Sequence, residues 1–153
     1  LLAYIQPVFI DLDMNTVEPA IGAQRMDKVY AWKSMLDMGI HTSGGSDAPV
    51  VSFDAMENIY FAVTRKNISG QPQEGWIPSE KISVDEAVKL FTKNAAYASY
   101  TEDENGTIEV GKNADFVVLE KNIYEIDPDE IKATKVDMTV LGGEIVYERE
   151  VEE

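Results

Sequence analysis

The sequence has no cysteine and a single histidine. The first absence excludes disulfides and thiolate metal sites, and it suits a cytoplasmic protein. The second means that a histidine-rich metal centre cannot be completed within the chain, because a catalytic zinc ion takes about three protein ligands. Basic residues are also scarce, 13 against 28 acidic ones, for a formal net charge of -15. Such a surface repels phosphate backbones and anionic lipid, so neither nucleic acid nor a membrane surface is expected as a partner. No apolar run approaches the roughly 18–20 residues that a membrane helix needs. The opening run Leu1–Ile10 is apolar but has neither a basic start nor a small-residue cleavage site, so it does not read as a signal peptide.

What is present suits a globular chain. Its 153 residues, 44% of them hydrophobic, can bury the core of one ordinary domain. It opens on Leu rather than Met, inside a strand-like run, and reads as cut from something longer. Leu2 to Ile10 is rich in Ile, Val, Phe and Tyr and predicts a buried strand. Residues 11–20 read as a polar loop. A helix is expected over 24–38, with Val29, Trp32, Met35 and Leu36 on one face and Gly39 as its stop. A short strand over 40–45 then runs into Gly44-Gly45-Ser46-Asp47-Ala48-Pro49. Met56, Ile59, Tyr60 and Val63 mark the next helix, with Ser52 or Asp54 near its cap. Strand, helix, strand, helix is the unit of a parallel α/β sheet.

Residues 65–82 form a Gly- and Pro-containing loop. Ser83 and Glu86 then make a capping box for a helix whose apolar face runs through Ala87, Val88, Phe91, Ala95 and Ala98. From Asn105 the pattern shifts to short strands at Thr107–Val110, Phe116–Leu119 and 136–140, with a Gly142-Gly143 hairpin into Glu144–Tyr147. The expected division is an α/β part, 1–103, and a small β unit, 104–153.

Asp47 stands out among the carboxylates. It follows a strand, and active-site groups of parallel α/β folds cluster where strands end. The same Ser, Asp and Pro also make ordinary turns and caps, so the local pattern leaves both readings open. His41 lies six residues earlier, toward the other end of that strand, and reads as structural. Trp76, in the Gly/Pro-rich loop, could close over a ligand or pin the loop to the body.

Two segments together carry a family resemblance. Gly106-Thr-Ile-Glu-Val-Gly-Lys-Asn-Ala-Asp-Phe-Val-Val-Leu119 resembles the G-x-I-x-x-G-K-x-A-D-hydrophobic signature of the amidohydrolase superfamily, and Ser46-Asp47-Ala48-Pro49 resembles the turn after its eighth barrel strand. Phe91–Tyr97, the Thr139–Tyr147 hairpin, Gln6-Pro7-Val8-Phe9 and Ala62-Val63-Thr64-Arg65 are similar to the branch holding N-substituted formamide deformylases and exoenzyme regulatory proteins of the AepA type.

The resemblance implies an α/β fold: the C-terminal part of a TIM barrel, its last two strands with their helices, plus a small composite β-sandwich. Residues 1–10 would be strand seven and 40–46 strand eight. Asp47 would be both catalytic residue and metal ligand. A divalent metal, most plausibly zinc, acidifies water, and a carboxylate beside it carries the proton to the leaving nitrogen. Gln6, Arg25 and Trp76 are the candidate substrate contacts. The substrate class implied is a small amide-like molecule whose C–N bond is hydrolysed, by a protein that forms homo-oligomers. The family's His-x-His and its middle-strand ligands have no counterpart here, so the resemblance implies a missing N-terminal part as a partner and a chain inactive alone. Two rivals remain: an amidohydrolase-like regulatory or scaffold protein without catalysis, and a small acidic binding module.

Ligand count yields a first prediction. The purified, dialysed chain is expected to hold no stoichiometric zinc, because one histidine and one placed carboxylate do not make a tight site. Elemental analysis finding about one zinc per chain would overturn it.

Overall fold

The computed structural model describes residues 1–150. Its first strand, β1 (Leu2–Ile5), is shorter than expected. Pro7 has no N–H and a fixed φ, so the ladder ends before it, and Pro7–Phe9 turns as a 3₁₀ segment. The expected loop over 11–20 carries two short helices, α1 (Ile10–Asp13) and α2 (Val17–Ile21). The single helix expected over 24–38 is divided. A 3₁₀ segment, Ala23–Lys28, is followed by α3 (Trp32–Asp37). Tyr30 between them is left-handed, with φ 49°. Its carbonyl accepts a bond from Arg65 Nη1 at 3.0 Å and its hydroxyl donates to Asp13, tertiary contacts that outweigh the local helical pattern.

The strand β2 (His41–Gly44) pairs with β1 in parallel, Leu2 opposite His41 and Ile5 opposite Gly44. At Gly44 an added Cβ would lie 2.7 Å from the ring of Phe91, so a side chain there would make that ring shift. The helix α4 (Ala55–Thr64) is capped by Asp54, whose side chain accepts from the amides of Met56 and Glu57. The helix α5 (Val84–Phe91) opens on the expected Ser83–Glu86 box. It does not run on to residue 98. Thr92, at φ -126° and ψ -99°, breaks it, and α6 (Lys93–Ala98) follows.

The last part is an antiparallel sheet of three strands in the order β3 (Phe116–Leu119), β4 (Val136–Leu141), β5 (Glu144–Glu148). The strand expected at Thr107–Val110 does not form; Ile108 and Val110 are exposed and have no strand beside them. Among the described residues this sheet is one layer, with Val117, Ile145 and Val146 open to solvent. The core gathers Ile5, Val8 and Ile10 from the first segments, Ile59 and Phe61 from α4, and Leu90 from α5. Ile123 and Ile131 join the same cluster from the C-terminal third. No helix of the described residues is long and apolar enough to cross a membrane.

Among the described residues β1 and β2 pair only with each other, so each leaves one edge unpaired. A protein limited to these 153 residues is therefore expected to self-associate or exchange strands. Sedimentation or light scattering decides it: a monodisperse monomer that melts cooperatively would refute the expectation.

Candidate functional site

Parallel pairing puts the carboxyl ends of β1 and β2 at one edge. The backbone amide of Gly45 donates to the carbonyl of Ile5 at 2.9 Å, so pairing persists one residue past β2. Gln6 leaves this edge on one strand and Gly45-Ser46-Asp47 on the other. The 45–50 turn is closed by its own atoms. Ser46 Oγ accepts from the amide of Ala48 at 3.2 Å, and the Asp47 carbonyl accepts from the amide of Val50 at 2.9 Å. Asp47 is exposed and left-handed, φ 61°. Tyr30, Arg65, Ile77 and Tyr100 also have positive φ, so backbone conformation alone does not single Asp47 out. Its place does: an exposed carboxylate just beyond the end of a parallel strand, with its backbone holding the turn.

One buried polar residue supports this edge and has no part in the motifs read from the sequence. Asn58 of α4 accepts from the amide of Val8 through Oδ1 at 3.2 Å and donates from Nδ2 to the carbonyl of Asp54 at 2.9 Å. The signal was an amide set among Met56, Ile59 and Tyr60 on an otherwise apolar face.

The other candidates lie elsewhere. His41 is at the opposite end of β2, roughly 10 Å from Gly44 by strand rise. Its Nε2 is 3.3 Å from the carbonyl of Asn94, and its ring lies 4.0 Å from that of Tyr97. Arg25 is exposed and turns back on its own segment, donating from Nη1 to the carbonyl of Ile21 at 3.2 Å. Trp76 is half-buried beyond the far end of α4, whose ten residues rise about 15 Å from the Asp54 cap. Its amide donates to the Arg65 carbonyl at 2.7 Å, and its carbonyl accepts from Arg65 Nε at 2.6 Å. Its ring stands 5.5 Å from Tyr30 and lines a shallow cleft of about 300 Å³ with Met14, Asn15 and Gln71.

Two strong electrostatic shifts fall beside Trp76. Burial pushes the Arg65 guanidinium down to about 10. Burial, with the bond to Asp13, pushes the Tyr30 phenol well above its ordinary value. A catalytic divalent ion needs about three protein ligands. No three His, Cys, Asp or Glu side chains converge among the described residues. Asp47 fits one place in such a set, and the described residues supply no others beside it.

The amidohydrolase family profile matches residues 1–147. The amidohydrolase YtcJ of Bacillus subtilis is 38% identical over 145 residues, 95% of this chain and 27% of that protein. N-substituted formamide deformylase of Arthrobacter pascens is 35% identical over 122 residues, 80% of this chain and 22% of the enzyme. The solved structure of an uncharacterized metal-dependent hydrolase from Pyrococcus furiosus superposes with a TM-score of 0.60 at 26% identity, covering 74% of this chain and 22% of that one. The chain spans about a quarter of the length of the curated relatives it matches.

Proposed function

The chain belongs to the amidohydrolase family, and we propose that it is the C-terminal quarter of a metal-dependent hydrolase acting on a carbon–nitrogen bond of a small amide-like substrate. The observation that carries this reading is Asp47, an exposed carboxylate at the carboxyl edge of a parallel strand pair. Family kinship and a relative bearing the name of a formamide deformylase support the choice of bond. In this reading β1 and β2 are the seventh and eighth strands of a parallel barrel, and β3–β5 are one layer of a sandwich beside it.

Asp47 would hold one position around a divalent ion, zinc in our assignment, and the remaining ligands would come from sequence outside these residues. When bound, the ion lowers the pKa of water into the neutral range. The Asp47 carboxylate accepts the proton of the attacking water and delivers it to the departing nitrogen, which must leave as a neutral amine. Its solvent-facing position on a backbone-fixed turn suits both transfers, since the carboxylate is free while its Cα is held. Gln6 leaves the same edge, which supports its assignment as a hydrogen-bonding contact for an amide substrate. Arg25 and Trp76 would have to leave Ile21, Arg65 and Tyr30 to reach such a substrate, so we assign them to local structure.

The test is Asp47→Asn in the longer protein, on whichever N-acyl or N-formyl amine it turns over. The substitution keeps size and hydrogen bonding but removes the base. The rate is expected to fall roughly 10²–10⁴-fold. Hydrolysis at the unsubstituted rate would remove Asp47 from the mechanism.

A further inference from the structure

We propose that Asn58 is a positioning residue, locking the segment that carries Gln6 to the segment that carries Asp47. The inference rests on the assignment of Asp47 to the site. Its physical basis is the pair of bonds made by one side chain. Asn58 is 1% exposed and Val8 6% exposed, so the Val8 amide has no access to water as a partner. That amide sits in the first turn of Pro7–Phe9, where backbone donors lack a partner within the segment. Asn58 Oδ1 supplies the acceptor at 3.2 Å. Its Nδ2 donates at 2.9 Å to the carbonyl of Asp54, where the segment from β2 ends and α4 begins.

Val8 lies two residues after Gln6, and Asp54 seven residues after Asp47. The stretch between Asp47 and Asp54 is itself fastened. Val50 N donates to the Asp47 carbonyl at 2.9 Å, and Asp54 N donates to Ser52 Oγ at 3.2 Å. Displacement at Asp54 is therefore carried back toward Asp47. Only a side chain that donates and accepts at once can serve both bonds. An ionised aspartate keeps the acceptor and loses the donor, and leucine loses both. Losing the acceptor, as leucine or alanine does, strands the buried Val8 amide, which moves to find water; the Asp54 carbonyl keeps the bond from the Asn58 backbone amide at 3.2 Å. Packing alone asks for an apolar residue at this place on α4, so the amide answers to the two loops.

The experiment uses the longer protein, with zinc affinity measured by competition against a chromophoric chelator and amide hydrogen exchange followed at 6–9 and 45–54. Asn58→Leu and Asn58→Ala are compared with Asp47→Asn. Ile131→Val, which alters packing against α4 away from both loops, serves as the stability control. Asn58→Leu is expected to weaken zinc binding about 10–100-fold and to speed exchange in both loops. Ile131→Val should lower the melting temperature and leave zinc affinity unchanged. If Asn58→Leu does not fold, Asn58→Ala, which also removes the acceptor, carries the test. Wild-type zinc affinity in the Asn58 variants, with affinity lost in Asp47→Asn, would overturn the positioning role. Wild-type affinity in Asp47→Asn would instead overturn the assignment of Asp47. In that case exchange decides for Asn58: local acceleration in both loops supports the lock, and unchanged exchange refutes it.

Discussion

A buried guanidinium must be surrounded by acceptors and aromatic faces, and the arrangement of Arg65 imposes that demand on a large part of this fold. Arg65 is fully buried just past the C-terminus of α4, itself left-handed at φ 54°. Nε donates to the Trp76 carbonyl and Nη1 to the Tyr30 carbonyl, with the Glu80 carbonyl at 3.5 Å. The charge lies 4.6 Å from the Trp32 ring centroid and 5.7 Å from that of Trp76. Burial lowers its pKa to about 10, which leaves it charged at neutral pH, so these partners are needed throughout. Three otherwise separate pieces of chain converge as a result: the kink at Tyr30, the start of α3, and the loop 65–82. Glu80 extends the junction, its carboxylate accepting from the amide of Ser34 at 2.9 Å and from the Ser34 hydroxyl.

The two ends of α4 therefore have different tasks. At its C-terminus, charge and aromatic rings tie the loop 65–82 to the body. At its N-terminus, Asp54 caps the helix while Asn58 reaches across to the turn after β1. The turn that follows β1 is thus tied by a hydrogen bond to a helix whose other end is anchored independently. The Asp47 side chain stays exposed while its backbone is held by the bond from Val50.

Family membership was legible from two glycine-containing stretches, 106–119 and 46–49, because such turns depend on local backbone conformation and are written in residue type. The same holds for the Ser83–Glu86 box, the Asp54 cap and the hairpin at Gly142-Gly143: each is satisfied by atoms within a few residues of one another. The place of Asp47, in a turn after a strand, was legible for the same reason. The misreadings involve distant partners. Tyr30 breaks a good helical pattern because residues thirty-five and seventeen positions away hold its carbonyl and hydroxyl. Residues 107–110 have strand composition but no neighbour to pair with, and a strand without a ladder is not a strand. Asn58 went unread in the sequence because its partners lie fifty residues upstream and four residues back.

By itself the sequence determined the kinds of element, the caps and turns between them, and the family. Tertiary structure decided where helices break, that Trp76 is tied to Arg65 and Tyr30, and that Gln6 and Asp47 leave one edge together. The division follows from range. Turns and caps are settled by steric and hydrogen-bonding preferences over three or four residues. A buried charge or amide takes its conformation from whichever distant carbonyl or amide can satisfy it.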